Sequence, residues 1–241
     1  MMSHAIQQDS WKQLAGEAAA KLIEDGMVIG LGSGSTAVYL VYALARRIQA
    51  GLSIVGAVPT SKATEELAGN LGIPLTDLDT HPELDLDIDG ADEIDSQLCL
   101  IKGGGGALLR EKVVASAARR FVVIGDVTKQ VTRLGLKTPV PVETIPFAAT
   151  PVRKRLEALG AVVQLRQSAG LVYMTDNNNF ILDCTFPGGI TDPPGLNDRI
   201  KGVVGVVETG LFLDMAEQAI IGGPEGVKVV SSSTNQPDFF P

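Results

Sequence analysis

Hydrophobic and polar residues follow two different periods along the first half of the chain. Apolar positions at helical spacing predict helices over residues 9–24, 36–49, 60–70 and 112–120. Short apolar runs and one strict alternation predict strands over residues 27–31, 53–58, 84–88 and 121–124. Because strands and helices alternate along the chain, we expect an α/β fold with a mainly parallel, Rossmann-like sheet and helices on both faces.

The order of the elements changes near Leu134. From there the pattern predicts, in chain order, a strand at 139–145, a helix at 150–159, a strand at 161–166, a hairpin of 171–174 with 180–184, a helix at 192–200 and a strand at 203–208. When the hairpin is counted as one strand position, this order is β-α-β-β-α-β, which is typical of a ferredoxin-like unit.

The change of pattern predicts a division of the chain into domains. We place a large α/β domain at residues 1–133 and 210–230, where two late strands are expected. A small ferredoxin-like α+β domain is expected at residues 134–209. The polar residues 231–241 are expected to form a weakly ordered tail.

Composition narrows the classes of function. The net charge is −8 and aromatic residues make up only 5% of the chain, which disfavours a nucleic-acid surface. No apolar run is long enough for a membrane span, and the N-terminus lacks the pattern of a secretion signal. We therefore expect a cytoplasmic protein in which Cys99 and Cys184 are reduced. With two histidines and no ligand pairs at zinc spacing, we expect no metal site.

The most informative stretch is the run of four glycines at 103–106, with Lys102 before it and Glu111 after it. Glycines leave backbone N–H groups open to a ligand, because no Cβ blocks close approach. A cation, a nest of amides and a carboxylate suit proton abstraction from an oxyanionic small molecule. The alternative is a flexible linker, although the run leads from an apolar strand into an apolar-periodic helix.

A second glycine-rich turn, Gly30–Ala37, joins a predicted strand to a predicted helix. The amides and the positive dipole end of that helix, with nearby hydroxyls, favour a phosphate site. The turn differs from a dinucleotide fingerprint, because Ser35 stands where the third glycine would be. It also lacks the Gly-Lys-Ser/Thr ending of a P-loop. A plain strand-to-helix turn remains the alternative.

The turn Asp89–Asp95 follows a predicted strand and places Asp89 and Asp92 on either side of Gly90-Ala91. Two such carboxylates could contact sugar hydroxyls and transfer protons. The alternatives are a solvated acidic turn and a calcium loop, although the remaining ligands of a calcium loop are missing. We expect all three turns to follow strands of one sheet and to meet in one crevice. The pattern favours cofactor-free proton transfer on a phosphorylated sugar.

Three ordered motifs carry a resemblance to a known family. They are Gly-Ser-Gly-Ser-Thr-Ala at 32–37, Asp-Gly-Ala-Asp-Glu-Ile at 89–94 and Lys-Gly-Gly-Gly-Gly-Ala-Leu-Leu-Arg-Glu-Lys at 102–112. The chain resembles type A ribose-5-phosphate isomerases over nearly its whole length. That resemblance implies interconversion of D-ribose 5-phosphate and D-ribulose 5-phosphate, without metal or cofactor, by a large α/β domain and a small ferredoxin-like one.

The resemblance also implies roles for individual residues. Glu111 would be the base that moves a proton between C2 and C1 through an enediolate. Lys102 would stabilise the enediolate oxygen, and Asp89 would assist ring opening. The residues expected to contact the substrate are Lys12, Ser33, Gly34, Ser35, Thr36, Asp89, Gly90, Ala91, Asp92, Lys102, Gly103, Gly104, Gly105 and Lys129.

Two other classes of function fit the sequence less well. A sugar-phosphate-sensing regulator would normally carry a DNA-binding helical module, for which the residues before the first predicted helix leave no room. A nicotinamide-dependent oxidoreductase is disfavoured by the incomplete fingerprint. The resemblance implies a homodimer or a homotetramer. It leaves open whether the reaction serves the pentose phosphate pathway or the Calvin cycle.

Overall fold

The structure is a computed structural model, and it describes residues 2–231, with side chains from residue 6 onward. Its helices are α1 (Met2–Ala20), α2 (Ala37–Gln49), α3 (Lys62–Asn70), α4 (Leu108–Ala117), α5 (Ala149–Ala158) and α6 (Pro193–Lys201). The predicted tail at 231–241 lies outside the described residues except for Ser231, which ends the last strand.

The strands up to the middle of the chain are β1 (Val28–Leu31), β2 (Gly56–Pro59), β3 (Leu86–Gly90), β4 (Glu93–Ile94), β5 (Leu100–Ile101), β6 (Phe121–Asp126) and β7 (Val140–Thr144). The later strands are β8 (Val162–Leu165), β9 (Gln167–Ser168), β10 (Leu171–Val172), β11 (Phe180–Thr185), β12 (Val206–Thr209), β13 (Leu211–Phe212), β14 (Gln218–Gly223) and β15 (Gly226–Ser231).

The chain divides into two compact units. The first comprises Met1–Gly90, Val113–Lys129 and Asp214–Pro241, and the second comprises Ala91–Lys112 and Gln130–Leu213. The second unit is thus larger than the predicted small domain at 134–209. It gains residues 91–112 because β4 and β5 pair with β13 in an antiparallel sheet of their own.

The first unit is built on a six-stranded sheet in the order β15-β14-β6-β3-β1-β2. Neighbouring strands are parallel except for β15, which is antiparallel to β14. The larger apolar cluster includes Ile29 and Leu31 of β1, while Val28 belongs to a separate cluster with Val114. Since successive side chains of a strand point to opposite faces, apolar residues cover both faces of this sheet. The predicted α/β fold is confirmed.

Local signals explain where two helices of the first unit lie. Ser61 caps α3, because its side chain accepts a hydrogen bond from the backbone N–H of Thr64. In α2, the buried positions Ala37, Leu40, Val41 and Leu44 recur at helical spacing and pack into the core.

The second unit contains a four-stranded antiparallel sheet in the order β12-β7-β11-β8. With α5 after β7 and α6 after β11, this is the predicted ferredoxin-like arrangement. The predicted hairpin of 171–174 with 180–184 is wrong, because β10 pairs with β9 and β11 pairs with β7 and β8. Among the described residues, every helix is too short or too polar to cross a bilayer.

Candidate active site

The glycine–serine turn at 32–36 connects β1 to α2 in the first unit. Gly32 is required there because a Cβ would lie 2.2 Å from Asp89 Oδ1 and 2.4 Å from Asp89 Cα. Gly34 has a φ of +94°, a conformation that side-chain-bearing residues rarely adopt. The close approach of β1 to β3 and this one left-handed residue shape the turn.

Asp89 is fully buried at the end of β3, and its Oδ1 accepts hydrogen bonds from two backbone N–H groups. The donors are Ser33 at 2.8 Å and Gly90 at 2.6 Å. A carboxylate that accepts backbone N–H bonds holds the turn in one conformation. The sequence-predicted residues Asp89, Gly90 and Ser33 are therefore brought together within the first unit.

The Ser33 hydroxyl lies in a group of hydroxyls that the sequence analysis missed. Its Oγ is 2.6 Å from Thr60 Oγ1, 2.8 Å from Ser61 Oγ and 3.2 Å from Thr64 Oγ1. Thr64 Oγ1 also donates to the carbonyl of Gly32 at 3.1 Å. Thr60 and Ser61 follow β2, so the rule that ligands gather at the carboxyl ends of parallel strands could have found them.

The other predicted phosphate contacts occupy different surroundings in the first unit. Ser35 is exposed, and Thr36 is buried at the N-terminus of α2. The side chain of Lys12 is only 13% exposed, so it is more buried than an ordinary surface lysine. Its Nζ lies 3.4 Å from Asp9 Oδ1. Lys129 is half-buried at the end of a short 3-10 turn that follows β6.

The glycine loop, residues 103–106, belongs to the second unit. The expectation that all three turns follow strands of one sheet is wrong, because this loop follows β5 of the three-stranded sheet. Alternating apolar residues did not reveal this, since the strands β4, β5 and β13 are two residues long. Pairing of such short strands is decided by tertiary contacts.

Asp92 lies in the second unit, as do Ala91 and the glycine loop. Asp92 Oδ2 accepts a hydrogen bond of 2.7 Å from the backbone N–H of Gly104. A Cβ on Gly104 would lie 2.7 Å from Asp92 Oδ1, so only glycine permits this approach without a shift. The second predicted carboxylate is thereby placed directly on the glycine loop.

Lys102 and Glu111 form a buried ion pair in the second unit. Lys102 Nζ is 3.5 Å from Glu111 Oε2, and the two side chains are 2% and 6% exposed. Glu111 lies in the first turn of α4, where the helix dipole favours a negative charge. Burial of both charges is costly unless they are paired, and this ion pair provides that compensation.

Phe212 and Lys112 surround this pair and were not singled out from the sequence. The Phe212 ring is fully buried, with its centroid 5.3 Å from Lys102 Nζ and 4.7 Å from Lys112 Nζ. Lys112 Nζ donates to Glu208 Oε1 at 2.9 Å, to Thr209 O at 2.6 Å and to Leu211 O at 2.8 Å. Lys112 thus holds the chain beside Phe212, which packs under the Lys102 ammonium.

The ionisation of Lys112 and Glu208 reflects their pairing. Burial lowers the pKa of the Lys112 ammonium, and the neighbouring Glu208 carboxylate opposes that change. Burial by itself would raise the pKa of Glu208, and it is the largest single influence. The Lys112 charge and the hydrogen bonds from the Thr209 N–H, Lys112 and Lys201 together outweigh it, so the pKa of this carboxyl lies below its ordinary value. The pair is a charged structural anchor, distinct from the Lys102–Glu111 pair.

Within residues 2–231, no group of three or more histidine, cysteine, aspartate or glutamate side chains has the arrangement of a metal site. Cys99 and Cys184 are not joined in a disulfide bond, and burial raises the pKa of the Cys184 thiol to about 12.

Comparisons with known proteins identify the family. Residues 56–226 match the family model of ribose 5-phosphate isomerase A, also called phosphoriboisomerase A. The chain belongs to the ribose 5-phosphate isomerase A family. A ribose-5-phosphate isomerase A from Synechococcus sp. (strain JA-3-3Ab) is 52% identical over 228 residues, which cover 93% of this chain and 98% of that protein.

Solved structures of ribose 5-phosphate isomerases share the fold. The enzyme from Neisseria gonorrhoeae superposes with a TM-score of 0.88 at 40% identity, over 94% of this chain and 98% of its own. A D-ribose-5-phosphate isomerase in complex with phospho-erythronic acid gives a TM-score of 0.89 at 40% identity, over 92% of this chain and 98% of its own. The resemblance inferred from the three motifs is confirmed.

Proposed function

We propose that this member of an aldose–ketose isomerase family interconverts D-ribose 5-phosphate and D-ribulose 5-phosphate through an enediolate, with Glu111 as the general base. One observation carries the mechanism: a carboxylate and an ammonium, both nearly fully buried, lie 3.5 Å apart beside a loop of four glycines. Membership of the family supports the substrate. So does the related structure in complex with phospho-erythronic acid, a phosphorylated sugar acid.

The proposed reaction begins with the open-chain aldehyde. The Glu111 carboxylate takes the proton from C2, and the electron pair of the C–H bond moves to form a C1–C2 double bond with negative charge on the C1 oxygen. Glu111 then returns the proton to C1, while one proton moves from the C2 hydroxyl to the C1 oxygen. No net proton or electron is gained or lost, so the chemistry needs no cofactor.

Lys102 has the charge needed to lower the barrier of this reaction. A proton next to a carbonyl is far less acidic than a carboxylic acid, so Glu111 alone is too weak a base. A buried ammonium and the amides of the glycine loop would stabilise the enediolate where water is scarce. The negative charge on that oxygen develops only near the transition state, so this interaction accelerates the chemical step.

Substrate binding is assigned to both glycine-rich turns and to the two aspartates. The turn at 33–36 at the start of α2, with Lys12 in support, is proposed to bind the phosphate. Lys129 is proposed to make another contact with the substrate. Asp89 and Asp92 are proposed to contact the sugar hydroxyls, with Asp89 assisting ring opening. We further propose a cytoplasmic location and, as the resemblance implies, a homodimer or a homotetramer.

The variant Glu111→Gln tests the proposed base. Glutamine keeps the shape of the side chain and removes its basicity, so kcat should fall by at least about 10²–10⁴-fold. The exchange of the substrate C2 proton with solvent deuterium, followed by NMR, should stop as well, while ribose 5-phosphate still binds.

The matched control is Glu66→Gln, which changes an exposed glutamate of α3. Glu93 is unsuitable as a control, because its buried carboxylate accepts hydrogen bonds from the backbone N–H groups of Gly135, Lys137 and Thr138. C2 exchange that persists in Glu111→Gln would exclude Glu111 as the base. Absence of isomerisation in the unmodified protein would exclude the proposed activity itself.

A further inference from the structure

The glycine loop has no side chains of its own, so other residues must hold its conformation. Gly103 and Gly106 have φ values of +96° and +89°. The N–H of Gly106 donates to the carbonyl of Gly103 at 3.0 Å, which closes a turn. A single backbone bond would leave such a loop free to adopt several arrangements, since glycine loses more conformational freedom on ordering than other residues.

Arg166 contacts the carbonyl oxygens of this loop. Its Nη1 donates to Gly103 O at 2.8 Å and to Gly104 O at 3.1 Å. Tyr173 donates its hydroxyl to the next carbonyl, Gly105 O, at 3.3 Å. Three consecutive carbonyls of the loop therefore point toward two side chains of the ferredoxin-like sheet region.

The guanidinium of Arg166 is itself fixed. Its Nε donates to Asp183 Oδ2 at 2.9 Å and its Nη2 to Asp183 Oδ1 at 2.5 Å, a paired arrangement. The two side chains are 13% and 19% exposed. Arg166 and Tyr173 are joined by a backbone hydrogen bond of 2.9 Å, and the guanidinium lies 5.9 Å from the Tyr173 ring centroid.

These contacts determine where the amides of the loop point. In a planar trans peptide the C=O and the following N–H point in opposite directions. The N–H of Gly104, opposite the Gly103 carbonyl, does point away from Arg166 and reaches Asp92 at 2.7 Å. By the same geometry, we infer that the N–H of Gly105 also points away from the guanidinium.

We propose that Arg166, fixed by Asp183 and assisted by Tyr173, is a positioning residue that sets the direction of the loop amides for the proposed isomerisation. The inference rests on the proposed function and adds a determinant of its rate. Arg166 does not act on the substrate; it acts through Gly103 and Gly104. Its positive charge also polarises the peptides it contacts, which strengthens the hydrogen bonds that their N–H groups donate.

Two properties of Tyr173 suit it to hold the glycine loop together with Arg166. Burial raises the pKa of its hydroxyl, so this group remains protonated and able to donate at neutral pH. Its ring also fills the space that a side chain at position 106 would need, because a Cβ on Gly106 would lie 2.1 Å from the Tyr173 Oη.

The test compares Arg166→Lys with Arg153→Lys. Lysine keeps the positive charge but lacks the planar fork that bridges Asp183 and two carbonyls. Arg153 is a matched arginine of the same unit, which contacts Glu157 and the Val163 carbonyl rather than the loop. Arg166→Lys should lower kcat by about 10- to 100-fold. Its KM for ribose 5-phosphate should change less than about threefold, because the proposed phosphate contacts are untouched.

C2 proton exchange should slow in parallel with kcat in Arg166→Lys, while Arg153→Lys keeps both rates near those of the unmodified protein. A kcat within twofold of the unmodified value in a folded Arg166→Lys would overturn the proposal. So would an equal loss in Arg153→Lys at the same thermal stability. The unmodified protein, assayed alongside, shows independently whether the isomerase activity exists.

If Arg166→Lys does not fold, Tyr173→Phe decides the question. This variant removes one hydroxyl that donates to the Gly105 carbonyl and leaves the ring and the Arg166–Asp183 pair in place. A loss of about two- to fivefold in kcat with unchanged KM supports positioning of the loop. No change in kcat would contradict it.

Discussion

The two glycine-rich turns of this protein serve similar proposed purposes but are held in different ways. The turn at 32–36 is fixed by contacts within its own α/β unit, through Asp89 and the hydroxyls of Thr60, Ser61 and Thr64. The loop at 103–106 is fixed by Asp92 nearby in sequence and by Arg166 and Tyr173 far along the chain.

This difference follows from the two folds. A strand-to-helix turn in a parallel sheet has regular neighbours, because the ends of adjacent strands line the same edge. The glycine loop instead follows a two-residue strand of a small antiparallel sheet, which provides few backbone partners. Side chains from the ferredoxin-like region supply the missing hydrogen bonds. The residues that hold a turn of regular architecture can thus be inferred from its neighbours in the sheet, whereas distant residues that hold a loop cannot.

The largest expected effect tests the assignment of the turn at 32–36 to the phosphate. Free D-ribose should have a kcat/KM at least about 100-fold lower than that of ribose 5-phosphate. Several hydrogen bonds to a charged group are lost, each worth roughly 1.5–3 kcal/mol. Steady-state assays with the two sugars measure this ratio, and equal values would refute the assignment.

Gly34→Val sharpens the same test. Valine is strained at a φ of +94°, so the turn must change shape. Activity on ribose 5-phosphate should fall, while the low activity on free ribose stays the same. An equal loss on both sugars would show that the turn does more than bind phosphate.

The glycine loop is tested next by Gly106→Ala and Gly105→Ala. Gly106 combines a φ of +89° with contact to Tyr173, whereas a Cβ on Gly105 has no other atom within 4 Å. We expect Gly106→Ala to lose about 1–3 kcal/mol of unfolding free energy. It should also lose about tenfold or more in kcat, because the loop carbonyls leave Arg166 and Tyr173.

Gly105→Ala is the control for these folding effects, and its unfolding free energy should stay near that of the unmodified protein. Denaturant unfolding of the two variants separates the two positions. Equal destabilisation of both variants would mean that Tyr173 does not shape the loop.

The smallest expected effect concerns the cluster of hydroxyls around Ser33. Thr64→Val keeps the side-chain volume and removes the bonds of the hydroxyl to Gly32, Ser33 and Ser61, while the backbone N–H of residue 64 still donates to Ser61. The unfolding free energy should fall by about 1 kcal/mol. Thr138→Val is the matched control, because the buried Thr138 Oγ1 has no hydrogen-bond partner among the described residues. If both variants are equally stable, the hydroxyls do not hold the turn.

The secondary-structure elements and the motifs depend mostly on residues close together in sequence, so they could be predicted from the sequence. Hydrophobic periodicity predicted the elements of the α/β unit, and the order of elements predicted the ferredoxin-like sheet. The three motifs indicated the family, because glycines, acids and lysines at these positions have few other uses together. Gly34 illustrates the physical reason, because the turn needs a left-handed backbone conformation at one position and glycine adopts it without steric cost.

The tertiary structure alone decided what lies far apart in sequence. It packed Phe212 beneath Lys102 and brought Arg166 to the glycine loop. It also paired β11 with β7 and β8, contrary to the predicted hairpin. Such contacts depend on which chain segments pack together, and a pattern of hydrophobic and polar residues specifies a buried face without specifying its partner.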